Sequence, residues 1–294
     1  MIAAYPLLLA GLFAADTTKD SLQAVIATFE AKLTWKTGAV SIKDGLATVN
    51  LPSGYRYLNS DDAAAVLEAW GNPPGASTLG MVFPPEMGPF TDQSWAVIIT
   101  YDEDGYVKDD EAADINYDDL LRDMRKSIAE ENDARAKNGF DRIELVGWAA
   151  PPRYDSVSNK LYWAKSLKFG DGESNTLNYN IRALGRRGVL VLNAVAGMAD
   201  LARVEAGMQE MLGFVDFNEG HRYADFVPGK DKVAAYGIGA LIVGGAAAKA
   251  GLFKGLIAAL FAAKKLLLVG AVAAAAAIGK FFTRDKTPKP TQNA

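Results

Sequence analysis

Apolar and polar residues follow two periods along this chain, and the places where the period changes predict its elements. A 3.6-residue spacing puts Leu22, Val25, Ile26, Phe29 and Leu33 on one face of a helix from Thr18 to Leu33. Strand-type runs follow at Ala39–Ile42 and Leu46–Leu51, joined across the turn residues Lys43-Asp44-Gly45, with a third at Tyr55–Leu58. Ser60-Asp61-Asp62 predicts a helix start, carrying Val66, Leu67 and Trp70 and stopped by Gly71-Asn72-Pro73-Pro74. Further strands fit Leu79–Phe83 and Ser94–Tyr101. A long helix then runs from Tyr117 to Lys137 with Leu120, Leu121, Met124 and Ile128 on one side. Alternating segments at Arg142–Trp148, Lys160–Phe169, Thr176–Leu184 and Gly188–Ala196 read as antiparallel strands, with turns at Gly170-Asp171-Gly172 and Gly185-Arg186-Arg187-Gly188. The last amphipathic helix, Asp200 to Leu212, uses Leu201, Val204, Met208, Met211 and Leu212. No strand–helix–strand unit recurs, which predicts an α+β fold: a mainly antiparallel sheet with helices packed on it.

Two stretches break this pattern. Residues 1–15, MIAAYPLLLAGLFAA, form an apolar signal-like segment ending in small residues, without a basic residue ahead of it. From Val233 to Phe282 there is no acidic residue at all. Lysine at mid-bilayer costs about 2.5–3.5 kcal/mol, so the lysines divide the stretch. The lysine-poor parts, 233–248 and 266–282, are expected as two transmembrane spans, each about 25 Å long at about 1.5 Å per residue. Between them, residues 249–265 form an amphipathic connector. Its Lys249, Lys254, Lys264 and Lys265 fall within about 160° of arc at about 100° per residue, a face suited to the membrane interface. The expected organisation is therefore a soluble α+β domain over 16–232, a C-terminal transmembrane helical hairpin over 233–282, and a polar, disordered tail over 283–294. Gly- and Ala-rich spans also allow a homo-oligomer to form through them.

Composition narrows the chemistry. A net charge of -4 over 294 residues recommends no nucleic acid partner. The chain has no cysteine and one histidine, His221, so thiolate metal sites, a cysteine nucleophile and histidine-rich metal sites are excluded. No phosphate-binding loop or dinucleotide glycine pattern appears, and no cofactor is expected. The acidic run from Tyr101 offers Asp102, Asp104, Asp109 and Asp110 as hard oxygen ligands for calcium. It lacks the third Asp before the glycine and the Glu at the twelfth position. It therefore reads as a solvated loop leading into a helix N-terminus, with no metal.

Catalysis has no distinct signature, and no catalytic residue is assigned. Carboxylate pairs for glycoside hydrolysis can be drawn from the acidic run or from Glu144 and Asp155, but sequence does not measure their separation. A binding groove is the alternative use of the large residues. Trp70, Trp148, Tyr154 and Trp163 would line it, with Trp95 and Tyr162 nearby, and Arg153, Arg182 and Arg186 would anchor a ligand. Core packing is the competing use of the aromatics.

Several motifs together carry a resemblance. They are Trp70-Gly71-Asn72-Pro73-Pro74, Leu79-Gly80-Met81, Tyr101-Asp102-Glu103-Asp104-Gly105-Tyr106-Val107, Gly147-Trp148 and Leu161-Tyr162-Trp163-Ala164. Leu177-Asn178-Tyr179-Asn180, Leu184-Gly185-Arg186 and Arg222-Tyr223-Ala224-Asp225-Phe226 complete the set. Over roughly residues 20–282 the chain resembles a bacterial family of uncharacterised membrane-anchored proteins defined by a domain of unknown function. The resemblance implies a bacterial cell-envelope protein with a C-terminal membrane anchor, and no catalytic residue. The expectation is a bacterial inner-membrane protein whose periplasmic body binds or scaffolds another envelope component, a protein; the alternative is a carboxylate-dependent envelope hydrolase.

Overall fold

A computed structural model describes residues 23–243, except 71, 73, 92–93 and 138–140. The signal-like segment 1–15, the chain from 244 to 282 with Lys249, Lys254, Lys264 and Lys265, and the polar tail lie outside the described residues.

The fold is α+β, as the periodicities predict. Eight strands form one antiparallel sheet: β1 (Trp35–Lys36), β4 (Arg56–Asn59), β5 (Gly80–Phe83), β6 (Val97–Asp102), β8 (Ile143–Asp155), β9 (Lys160–Phe169), β10 (Thr176–Leu184) and β11 (Val189–Gly197). Their order is β1-β4-β5-β6-β11-β10-β9-β8. Strands β8 to β11 form a meander of hairpins, and β11 closes against β6 to join it to the β4–β6 half.

One face of the sheet is wholly apolar at its centre. Leu177, Tyr179, Ile181 and Ala183 of β10 and Leu190, Leu192 and Ala194 of β11 alternate onto it. It is covered by α4 (Leu201–Phe214), through Val204, Met208 and Met211, and by a small sheet of β2 (Ala39–Ile42), β3 (Ala47–Asn50) and β12 (Val215–Phe217).

The other face is covered from both ends. A helix seen over residues 23–30 (α1) and α2 (Ser60–Ala69) pack on β4–β6 through Phe29, Val66 and Leu67. At the far end Leu145, Leu161, Trp163 and Leu167 pack against α3 (Tyr117–Lys137), β7 (Tyr106–Lys108), β13 (Val233–Gly237) and α5 (Ile238–Val243).

The edge of the large sheet is closed by side chains. Asn132 of α3 donates to the Ile143 carbonyl at 2.9 Å and accepts from the Ile143 N–H at 2.8 Å, as a neighbouring strand would. Arg125 donates to the carbonyls of Leu145 and Val146. An unpaired edge invites pairing with another chain, and α3 removes that option over residues 143–146.

Besides β1, which the pattern does not predict, and β8, which runs on to Asp155 past the predicted end at Trp148, three short strands depart from the pattern-based expectation. β7 lies inside the acidic run that was expected as a solvated loop, and β12 follows directly on α4. Val233–Gly237, expected as the start of a transmembrane span, is β13 instead and pairs in parallel with β7. After it, Ile238, Leu241 and Ile242 are buried against the domain itself, so the body continues past residue 232 to at least Val243. The physical reason is that an apolar run is equally suited to a protein interior, and β7 offers it a strand partner. Among the described residues, no helix is long and apolar enough to cross a membrane. The N-cap of α2 is Asn59, one residue before the expected start, its side chain accepting from the Asp62 N–H at 3.0 Å.

Candidate functional site

The two end covers leave the middle of one sheet face to polar residues. A single cross-strand row runs from Ile98 in one apolar cluster, through Asn193 and Asn180, to Trp163 in the other. The next row pairs Trp148 with Lys165 and Lys165 with Asn178. On the opposite side, Arg182 pairs with Leu161. Because strand residues alternate, Trp163, Lys165, Asn178, Asn180, Arg182 and Asn193 share this face while their neighbours fill the apolar one.

The asparagines form a directed chain. Asn180 Nδ2 donates to Asn178 Oδ1 at 2.9 Å, and Asn178 Nδ2 donates to Asn193 Oδ1 at 3.1 Å. Arg182 Nη2 approaches Asn180 Oδ1 at 3.4 Å, and its Nη1 donates to the Ile181 carbonyl at 3.1 Å. Each amide oxygen is therefore taken by the preceding donor. The chain ends on Asn193 Nδ2, which has no acceptor among the described residues. All three asparagines and Arg182 are buried, Arg182 being 5 % exposed.

Electrostatically the face is one-sided. Arg182 sits 5.0 Å from the centre of the Trp163 ring and forms no ion pair among the described residues. Burial lowers its guanidinium to about 10, against the opposing effect of the Asp102 carboxylate. Lys165, half-buried, makes no hydrogen bond or ion pair among the described residues. Burial pushes its ammonium down to about 8, and the Arg182 charge acts in the same direction. Asp102, the carboxylate that acts on Arg182, is raised by burial despite that cation. The buried Nε1 atoms of Trp148 and Trp163 have no acceptor either. Buried charges are ordinarily paired, so a cluster of this kind is unusual.

The residues predicted to line a groove are only partly brought together. Trp148, Trp163 and Arg182 share the polar face. Tyr154 lies at the margin of the same helical cover, where its hydroxyl donates to Asp109 Oδ2 at 2.7 Å. Arg153 is exposed and acts on Tyr179, on the α4 side. Trp70 is at the far end, donating to the Pro89 carbonyl at 2.9 Å and packing edge-on against Phe83. Arg186 is held in a two-bond ion pair with Asp231, at 2.7 and 3.1 Å, and so serves to fix the turn before β11. Asp231 also accepts from the Val227 N–H at 2.7 Å, and the Arg186 hydrogen bonds hold its carboxyl down to about 2.

The acidic run is likewise engaged. Asp109 accepts from Tyr223 at 2.9 Å as well as from Tyr154, and Asp104 accepts from Tyr236 at 2.6 Å. Tyr106 stacks between Tyr223 and Phe226, at 4.4 and 4.0 Å between ring centres. Burial, first of all, raises the Tyr154, Tyr223 and Tyr236 hydroxyls, which stay protonated and donating. Asp110 lines a shallow depression of about 360 Å³ with Lys108, Glu111 and β13. Among the described residues, no three ligand-type side chains cluster in a way that could hold a metal ion. Lys165, Asn178, Asn180 and Asn193 were missed by sequence reasoning. The signal available was Asn-Tyr-Asn-Ile-Arg in β10, where polar residues hold every second place of a central strand.

A family model described as "Protein of unknown function (DUF2167)" matches residues 34–275. No curated protein matches the chain. Among solved structures, the cyanobacterial PsbP (CyanoP) of Synechocystis sp. PCC 6803 is 12 % identical with a TM-score of 0.35, covering 63 % of this chain and 94 % of its own. The Ran-binding protein Mog1p of Saccharomyces cerevisiae is 13 % identical with a TM-score of 0.34, covering 67 % of this chain and 100 % of its own. TM-scores this low lend those likenesses no weight for fold or function.

Proposed function

Starting from the fact that the chain belongs to the DUF2167 family, whose description names no activity, we propose that its body is a binding module of the bacterial cell envelope. It is tethered to the inner membrane by the apolar chain beyond Val243, with the body on the periplasmic side. It recognises another envelope component, a protein, through the polar sheet face. The supporting observation is that Arg182 and Lys165 stand on that face without an ion-pair partner among the described residues, beside two indoles whose N–H groups are buried without an acceptor. An arrangement of unmatched donors favours a ligand that supplies acceptors.

The rival hydrolase reading needs two carboxylates facing a cleft. Asp104 and Asp109 are instead engaged by tyrosines. Asp155 accepts from the Ser158 hydroxyl at 2.6 Å and the Val157 N–H at 2.9 Å, at an exposed hairpin.

The test is affinity capture from gently solubilised membranes with the full-length protein, its Trp148→Ala variant and its Arg182→Gln variant. The expected result is a defined partner with the parent and its loss with both variants. An identical set of captured proteins from all three overturns the role of this face.

A further inference from the structure

The polar face has a chemical bias that goes beyond its being a recognition surface. Every amide oxygen of the Asn193–Asn178–Asn180 chain already accepts a hydrogen bond. The groups left without a partner in the protein are mostly donors: Asn193 Nδ2, one N–H of Asn178 Nδ2, three N–H groups of Lys165, and those of Arg182 that the Ile181 carbonyl and Asn180 do not take, against one remaining lone pair on each amide oxygen. Each amide in a directed chain polarises the next, which strengthens the terminal donor. Two cations and a string of donors on the floor of a sheet, with Asp102 acting on Arg182 but forming no ion pair with it, match one kind of ligand atom. That atom is the oxygen of an anion.

We infer that Arg182 and Lys165, with the amide of Asn193, form a binding site for one oxyanion group, a carboxylate or a phosphate. Resting on the binding-module reading, this deepens it: the recognised component presents such a group. A guanidinium takes either group by two parallel hydrogen bonds, and Lys165 supplies a second, movable positive charge. Trp163, lying against Arg182, orients the guanidinium plane and reports on it.

The experiment follows tryptophan emission of the full-length protein in mild detergent. Inorganic phosphate and acetate are added in separate titrations, with chloride replacing them at constant ionic strength. The expected result is a saturable change with at least one of the two, the stronger binder identifying the group. Arg182→Gln is expected to weaken it by at least about 30-fold, as removal of one member of a buried charge pair does. Lys165→Gln, at a half-buried position that tolerates the change more readily, is expected to weaken it by about tenfold, the low end for loss of one charged hydrogen bond. Arg122→Gln, on the exposed side of α3, leaves it unchanged. No saturable response to either anion overturns the site, and so does an unchanged midpoint in folded Lys165→Gln protein. The two readings fail separately. Anion binding with no captured partner keeps the site and removes the binding module; capture lost in Arg182→Gln without any anion response removes the site alone.

Discussion

At the scale of single residues, close approach decides outcomes that composition does not. Gly207 of α4 lies under Trp95, and a Cβ there would stand 2.6 Å from Cη2 and 2.9 Å from Cζ2 of a buried indole. Gly213 of the same helix has nothing within 4 Å of that position. Alanine gains about 1 kcal/mol over glycine in a helix interior, whereas overpacking costs about 1–3 kcal/mol. Gly207→Ala is therefore expected to lower stability by up to about 2 kcal/mol and Gly213→Ala to raise it by up to about 1 kcal/mol, both read by denaturant unfolding. Equal effects of the two would contradict the contact with Trp95. Asp231 makes the second residue-scale case. Its carboxyl is held down to about 2, below an ordinary value of about 3.9, so the contribution is complete above that value and is lost as pH falls through the folded one. Acid unfolding should thus show a loss of stability between about pH 4 and pH 2 that Asp231→Asn lacks, with the variant already less stable at neutral pH.

Among the elements, α3 does more than cover apolar surface. Only Met124 of its 21 residues is fully buried, and its hold on the sheet includes the hydrogen bonds of Asn132 and Arg125 to the edge strand. Two neutral hydrogen bonds contribute about 0.5–1.5 kcal/mol each. Asn132→Ala is expected to cost about 1–3 kcal/mol and to speed hydrogen exchange at the Ile143 amide more than at β10 amides. Uniform protection across the sheet in the variant would show that the clasp is not needed. Two strands of the meander were legible to the residue because each is long and bounded by turn residues: Lys160–Phe169 and Thr176–Leu184 have the bounds that the pattern predicts, whereas β8 runs on past Trp148 to Asp155. The three-residue strands β7 and β12 carry too few positions for a period to show, and they exist only because a partner strand receives them.

For the molecule as a whole, the proposed tether and the body make separate demands. An acid-free apolar stretch prefers lipid to water, and the portion beyond Val243 retains most of it. The full-length protein is expected to sediment with membranes in the absence of detergent, and a chain ending at Val243 to stay in the supernatant. Recovery of the full-length protein in the supernatant would dispose of the tether and the envelope assignment with it. The position of Ile238, Leu241 and Ile242 in the domain core explains why the cut belongs after Val243 and not at residue 232.

Local periodicity by itself determined the α+β class, the long strands and the long helices, because each depends on residues near one another in sequence. It did not determine what stands over each side of a strand. The alternation in β10 is the same whether Asn178, Asn180 and Arg182 face water or protein. Only the tertiary structure, by packing helices on both ends of one sheet face, withdrew most of those side chains from water and left several of their donors without an acceptor in the protein. Burial depends on residues distant in the chain, and that is why the candidate site appears only once the chain is folded.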